Sequence, residues 1–260
     1  MHRAGVRGGG GIRGRCGLAR VGAERRRVEG EPLALTRVYL IRHGQTGWNA
    51  EERLQGQCDS PLSGTGRAQV DRLARALAGV PFRAVYSSPL SRARDTAAAI
   101  AAPHRLPVVA VDALKEIALG KWEGLTIGEV AARYPEQLAA RRRDPLRVAP
   151  QGGETIGDVR ARVLPAVRAI IAAHPGETIA IVAHGAVNKA VLLSVLGLPL
   201  ESYGRMAQDN AAFNVLEWDG DAVRVAAFNQ TGHLEGPRPR ADTLETPPTR
   251  PAYTPLPEPE

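Results

Sequence analysis

His43 and His184 share a local setting. The run "VYLI" leads through Arg42 into His43 and Gly44, and the run "TIAIVA" leads into His184 and Gly185. A third apolar stretch ends in Ser87 and Ser88 and leads to Arg92. Two arginines and two histidines brought together repel one another unless an anion sits among them. A phosphoryl group with about two negative charges suits the place, because the planar guanidinium fork matches phosphate oxygens. A glycine after each histidine lets backbone N–H groups approach closely. Such a cluster is expected to bind a phosphomonoester. One histidine at a strand end is more often a hydrogen-bonded structural group, and most of the 34 Lys and Arg are solvated charges. Three matched placements weigh against those plainer readings.

The elements needed to position these groups alternate along the middle of the chain. Strands are expected over 37–41, 82–88, 107–111 and in the buried run from 178. Val70, Leu73, Ala74 and Leu77 fall at i, i+3, i+4 and i+7, which predicts an amphipathic helix over 66–78. Further helices are expected over 91–102, ended by Pro103, over 156–173 and over 186–197. Thr155 can cap the third of these with Asp158 three residues on, and Pro175-Gly176 stops it. Residues 213–228 read as a closing hairpin with Asp219-Gly220 in its turn. Strands alternating with helices predict an α/β fold with a mostly parallel central sheet, made mixed by the hairpin. In open sheets of this kind the ligand crevice lies at the carboxyl ends of the strands. His43, Arg92 and His184 are therefore expected at one edge.

Composition narrows the class. The chain has 260 residues, 43% of them hydrophobic, enough for a substantial core. No apolar run approaches the roughly 20 residues that span a bilayer, so no membrane association is expected. Cys16 and Cys58 are the only cysteines, form no CxxC pair and fit a cytoplasmic protein. The formal charge is +7, yet residues 1–36 hold eight Arg and three acids (+5) and residues 234–260 hold three Arg and five acids (−2), which leaves +4 for 37–233. With aromatics at 4% and no basic stripe, nucleic acid is not an expected partner. Residues 1–36 are expected to be a disordered Arg/Gly-rich extension. It is acid-poor in the manner of a transit peptide, but we read translation as beginning near Leu35. Residues 234–260, with eight prolines after Gly236, are expected to be a flexible tail.

The motifs resemble those of the histidine phosphatase superfamily, the phosphoglycerate-mutase-like proteins. The likeness runs in order through "RHGQTGWN", "RLQGQCDSPLSGTGRAQ", "VYSSPLSRARDTA", "LKEIALGKWEGL", "GGET" and "IVAHGAV", and spans about 37–233. The resemblance implies a three-layer α/β/α fold, with His43 as the nucleophile that forms a phosphohistidine. Arg42, Arg92 and His184 would hold the phosphoryl oxygens. Glu116 would protonate the leaving oxygen and then help water attack. Asn49, Gln55, Gly56 and Gly185 would line the substrate pocket, with Thr46 a further phosphate contact. Glu123, seven residues past Glu116, is a rival acid that we assign to a structural hydrogen bond near Trp122. No metal or cofactor is required, since Arg and His supply the positive field.

Other phosphatase chemistries lack their signatures. Cys16 and Cys58 are each followed six residues later by Gly rather than by the Arg of a Cys-x5-Arg loop, and no P-loop or HExxH is present. Among readings of the resemblance, a phosphatase acting on a small-molecule phosphomonoester is favoured. A phosphoglycerate mutase is the alternative, and a non-catalytic phospho-ligand module comes last. Family mutases usually carry an added lid segment between the acid and the second histidine, whereas only 67 residues, Ile117 to Ala183, intervene here. That spacing resembles the compact branch of broad-specificity and α-ribazole-phosphate phosphatases. The lid, about 126–155, should select the substrate. Its Arg141, Arg142 and Arg143 could meet a second anionic group, though such a run is more often a solvated helix face. Asn188 and Lys189, just past His184, could touch substrate, but a helix-surface role is the favoured reading. A monomer or homodimer is expected.

Overall fold

Strand β4 (Thr178–Ala183) shows how the sheet takes its two faces. Ile179 and Ile181 pack with one hydrophobic cluster, while Ala180 and Val182 pack with another, as a period of two requires. The computed structural model describes residues 35–220 and 222–235. Before β4 come β1 (Thr36–Arg42), α1 (Gly47–Ala50), α2 (Gly64–Leu77), β2 (Phe82–Ser87), α3 (Ser91–Ala101), β3 (Val108–Ala110), α4 (Ile127–Arg133), α5 (Pro135–Arg143) and α6 (Ile156–Ala172). After it come α7 (Gly185–Val195), a 3-10 turn (Leu200–Arg205), β5 (Phe213–Asp219) and β6 (Ala222–Gln230).

The strand order is β3-β2-β4-β1-β5-β6. Pairings β1·β4, β2·β4 and β2·β3 are parallel, while β1·β5 and β5·β6 are antiparallel. Only β5 therefore runs against the rest, and the sheet is mostly parallel and mixed, as expected. Val163, Val167 and Ile170 of α6 and Val187, Val191 and Leu192 of α7 cover one face. Leu73 and Leu77 of α2 and Ala93, Ala97 and Ile100 of α3 cover the other. The result is three layers. Each fully buried aliphatic side chain in these faces contributes about 1.5–3 kcal/mol of burial. Trp122, Val130 and Leu138 form a small separate cluster under α4 and α5.

Local signals explain the element ends. Ser63 caps α2 by accepting from Gly66 N, and Thr155 caps α6 in a reciprocal capping box with Asp158. Pro165 lies inside α6 on its exposed face. Asp219 is the last residue of β5, and Gly220 follows at φ +60°. The two terminal stretches expected to be irregular lie almost wholly outside the described residues. At their inner margins Thr36 opens β1 and Leu234 closes a short 3-10 turn, so the described fold extends slightly past 37–233.

Candidate active site

Three parallel strands deliver the site. His43 follows the end of β1, Ser88 the end of β2 and His184 the end of β4, so all three emerge at the same sheet edge. The chain beyond β3 reaches Glu116 by one short 3-10 turn, Asp112–Leu114. The rings of His43 and His184 lie 5.1 Å apart between centroids. Both are almost entirely buried, at 2% and 0% exposure, and Arg92 is at 0%.

The hydrogen bonds assign atoms to roles. His43 Nδ1 lies 2.7 Å from Gly44 O. A carbonyl only accepts, so Nδ1 carries the proton and Nε2 holds the lone pair of the neutral ring. His184 Nε2 lies 2.8 Å from Ser88 Oγ, and His184 Nδ1 is buried without a partner. When Ser88 donates to Nε2, Nδ1 becomes a free donor. Arg92 gives Nη1 to Cys58 O (2.9 Å) and Nη2 to Gly56 O (2.8 Å), and Arg42 gives Nη1 to Gln208 O. The Nε atoms of both arginines are buried and unpartnered. Buried donors are ordinarily satisfied. Three orphans beside two histidines mark a place for an anion. Arg42, His43, Arg92 and Glu116 line one cleft with a volume of about 380 Å³.

Glu116 faces the start of α7. Its carboxylate accepts from Ala186 N (3.2 Å) and from Ile117 N (2.9 Å). The segment "GGET" fixes this loop. Glu154 accepts from Ala118 N (2.9 Å) and from Arg162, whose Nη2 also donates to Glu116 O (3.0 Å). A Cβ on Gly153 would meet Ala118 O at 2.6 Å, so only glycine allows that approach. Among the described residues no group of three or more His, Cys, Asp or Glu is arranged to hold a metal ion.

Residues 38–231 match the family model described as histidine phosphatase superfamily (branch 1). The chain belongs to that superfamily. Phosphoserine phosphatase 1 of Hydrogenobacter thermophilus is 32% identical over 200 residues, covering 77% of this chain and 95% of the relative. A glucosyl-3-phosphoglycerate phosphatase of Mycolicibacterium vanbaalenii is 39% identical over 178 residues, 66% of this chain and 79% of the relative. The solved structure of Bacillus stearothermophilus YhfR superposes with a TM-score of 0.74 at 37% identity, over 77% of this chain and all of that one.

In this histidine phosphatase, Asn49, Gln55, Gly56 and Gly185 line the cleft together with Arg42, His43, Arg92 and Glu116. Thr46 does not: it is fully buried, and its hydroxyl closes a capping box with Asn49 at α1. Gly44 also has another reason than phosphate access. Its N–H donates to Thr96 Oγ1 (3.2 Å), and a Cβ there would meet Gly66 O of α2 at 2.8 Å. Glu123 is structural, accepting from Gln57 N (2.9 Å) and Leu119 N (3.0 Å). Arg142 and Arg143 are exposed, but Arg141 lines the cleft, as do Lys189, Arg53 and Tyr203. The Gln208 loop is not legible in the sequence. It backs Arg42 through buried amides, with Asn188 Nδ2 and Asn214 Nδ2 donating to Gln208 Oε1 at 3.2 and 2.9 Å.

Burial, then the charges of Arg42 and Arg92, hold the His43 imidazole well below its ordinary 6.5. Burial, then His43, Arg92 and Arg42, do the same to His184. The unfolded chain thus binds more protons than the folded one below about pH 6.5, and these two rings make stability fall as pH drops from there through the folded values. In an NMR titration of the ligand-free protein, both rings should stay neutral as the pH falls through the ordinary histidine range. Either ring titrating near its ordinary value would contradict this account.

Proposed function

We propose that the protein hydrolyses small-molecule phosphomonoesters without a metal ion, through a phosphohistidine on His43. The observation that carries this is the set of buried, unpartnered donors, Arg42 Nε, Arg92 Nε and His184 Nδ1, beside a histidine whose Nε2 is free to attack. In the first step Nε2 attacks phosphorus, the P–N bond forms and the P–O bond to the alcohol breaks. Glu116 gives its proton to the departing oxygen. Arg42, Arg92 and His184 meet the charge spread over the three remaining oxygens. In the second step water attacks phosphorus, its proton passes to the Glu116 carboxylate, the P–N bond breaks and inorganic phosphate leaves. The ring of His43 is neutral again at the end.

The cleft is at the small end for a ligand site, which favours metabolite-sized esters over macromolecules. The named relatives act on phosphoserine and on glucosyl-3-phosphoglycerate, which favours hydrolysis over phosphoryl return to a second hydroxyl. We assign the protein to the cytoplasm, as a monomer or homodimer; no helix among the described residues is long and apolar enough to cross a membrane. Phosphate release from a panel of phosphoserine, α-ribazole phosphate and phosphoglycerates, with a chelator present, tests the proposal. Release unaffected by the chelator is expected. Efficient interconversion of 3- and 2-phosphoglycerate with little phosphate set free would reverse the reading in favour of a mutase.

A further inference from the structure

The phosphoryl chemistry makes no use of three polar side chains that line the cleft, namely Arg141 from α5, Lys189 from α7 and Tyr203 from the 3-10 turn. A fourth, Arg53, is already matched by Glu51 (2.9 Å) and Glu129 (3.1 Å). Among the described residues, Arg141 and Lys189 have no such match. Arg141 Nη1 donates to two carbonyls, Val148 O (2.8 Å) and Glu154 O (3.2 Å), and its remaining N–H groups have no partner among the described residues. Lys189 Nζ sits 4.7 Å over the ring of Tyr203. Burial pushes both cations below their ordinary values. Burial likewise raises the Tyr203 phenol, which therefore stays protonated as a donor.

Glu116 is the sole carboxylate among the residues lining the cleft, against Arg42, Arg53, Arg92, Arg141 and Lys189. A phosphoryl dianion answers Arg42 and Arg92. Two partly buried cations and a phenolic donor remain, and burying a charge unpaired is unfavourable. These three side chains can all donate, beside the buried unpartnered acceptor Gln55 Oε1, and Arg141 is held in place by its carbonyls while its neighbours Arg142 and Arg143 stay exposed.

We propose that Arg141, Lys189 and Tyr203 form a second anion-binding subsite, and that the preferred substrate carries a carboxylate on its alcohol half, a few atoms from phosphorus. An Arg fork with one ammonium and one hydroxyl suits a planar carboxylate, and the small cleft holds both groups of a compact molecule. This specificity rests on the phosphatase reading above.

Matched pairs of esters test it. Phosphoserine against phosphoethanolamine, and 3-phosphoglycerate against glycerol 3-phosphate, differ by the carboxylate. The wild-type protein should favour the carboxylate-bearing member of each pair by about tenfold to a hundredfold in kcat/KM. Lys189→Met, Arg141→Met and Tyr203→Phe should each shrink that ratio, chiefly by raising KM for the carboxylate-bearing ester, and Arg141→Lys should restore part of it. Arg141 also ties two carbonyls, so if Arg141→Met fails to fold, Lys189→Met decides. Equal kcat/KM within both pairs, or Lys189→Met lowering both members alike, overturns the subsite. A preference for a bisphosphate over every carboxylate-bearing monoester overturns the carboxylate assignment. Turnover of p-nitrophenyl phosphate without any pair preference sinks the subsite alone; no phosphate release from any ester sinks the phosphatase reading with it.

Discussion

A His43→Ala protein should turn over p-nitrophenyl phosphate at least about ten-thousand-fold more slowly than wild type, because it loses the ring nitrogen that forms the first covalent bond. Binding should survive. Arg42, Arg92 and His184 keep their unpartnered donors, and removing a ring from among two guanidinium groups relieves no attraction that phosphate needs. Calorimetry should therefore show inorganic phosphate bound by the variant with affinity close to wild type, while rapid-quench labelling finds an acid-labile phosphoenzyme only in the wild type. Full turnover by the variant would remove His43 from the mechanism.

Glu116→Gln should divide substrates by their leaving groups. Loss of the acid should cost an alkyl ester about a hundredfold to ten-thousand-fold in kcat. Nitrophenolate departs without a proton, so the first step with p-nitrophenyl phosphate should be nearly spared. The second step still lacks its base. Stopped-flow traces should then show a burst of nitrophenolate close to one equivalent, followed by a slow steady rate. An equal loss on both esters with no burst would mean that Glu116 does not move the proton. Gln keeps an acceptor for Ala186 N and Ile117 N, so the loop held by Glu154 and Arg162 should stay in place.

The chemistry is legible in the sequence because it sits where the chain pattern is strongest. Runs such as "TIAIVA" admit one reading, a buried strand, and the residue after a parallel strand has one place to go. The box at Thr155 and Asp158 is readable for the same reason, being local. Thr46 misleads because a cap and a ligand contact use the same hydroxyl, and only the fold shows Asn49 taking it. Gly44 reads from sequence as an opening for phosphate, whereas α2 crossing above it is a contact between segments far apart along the chain. Arg141 stands out in the sequence only together with Arg142 and Arg143, and Lys189 only as a neighbour of His184 for which the helix surface is the plainer reading. Which of three consecutive arginines turns inward depends on how α5 meets the cleft, and no periodicity within "ARRRD" encodes that. Tyr203 and Gln208 lie in a stretch with no strand or helix pattern at all.

The small cluster of Trp122, Val130 and Leu138 stands apart from the two large cores that flank the sheet. Arg141 rides on the helix this cluster supports, whereas His43, Arg92 and His184 ride on the sheet and α3. Under the proposed subsite, drift in the outlying cluster would move Arg141 while leaving the strand ends untouched. Lys189 and Tyr203 sit with the large core, so under the proposed subsite only the share of the preference that Arg141 carries can drift apart from the six-stranded frame.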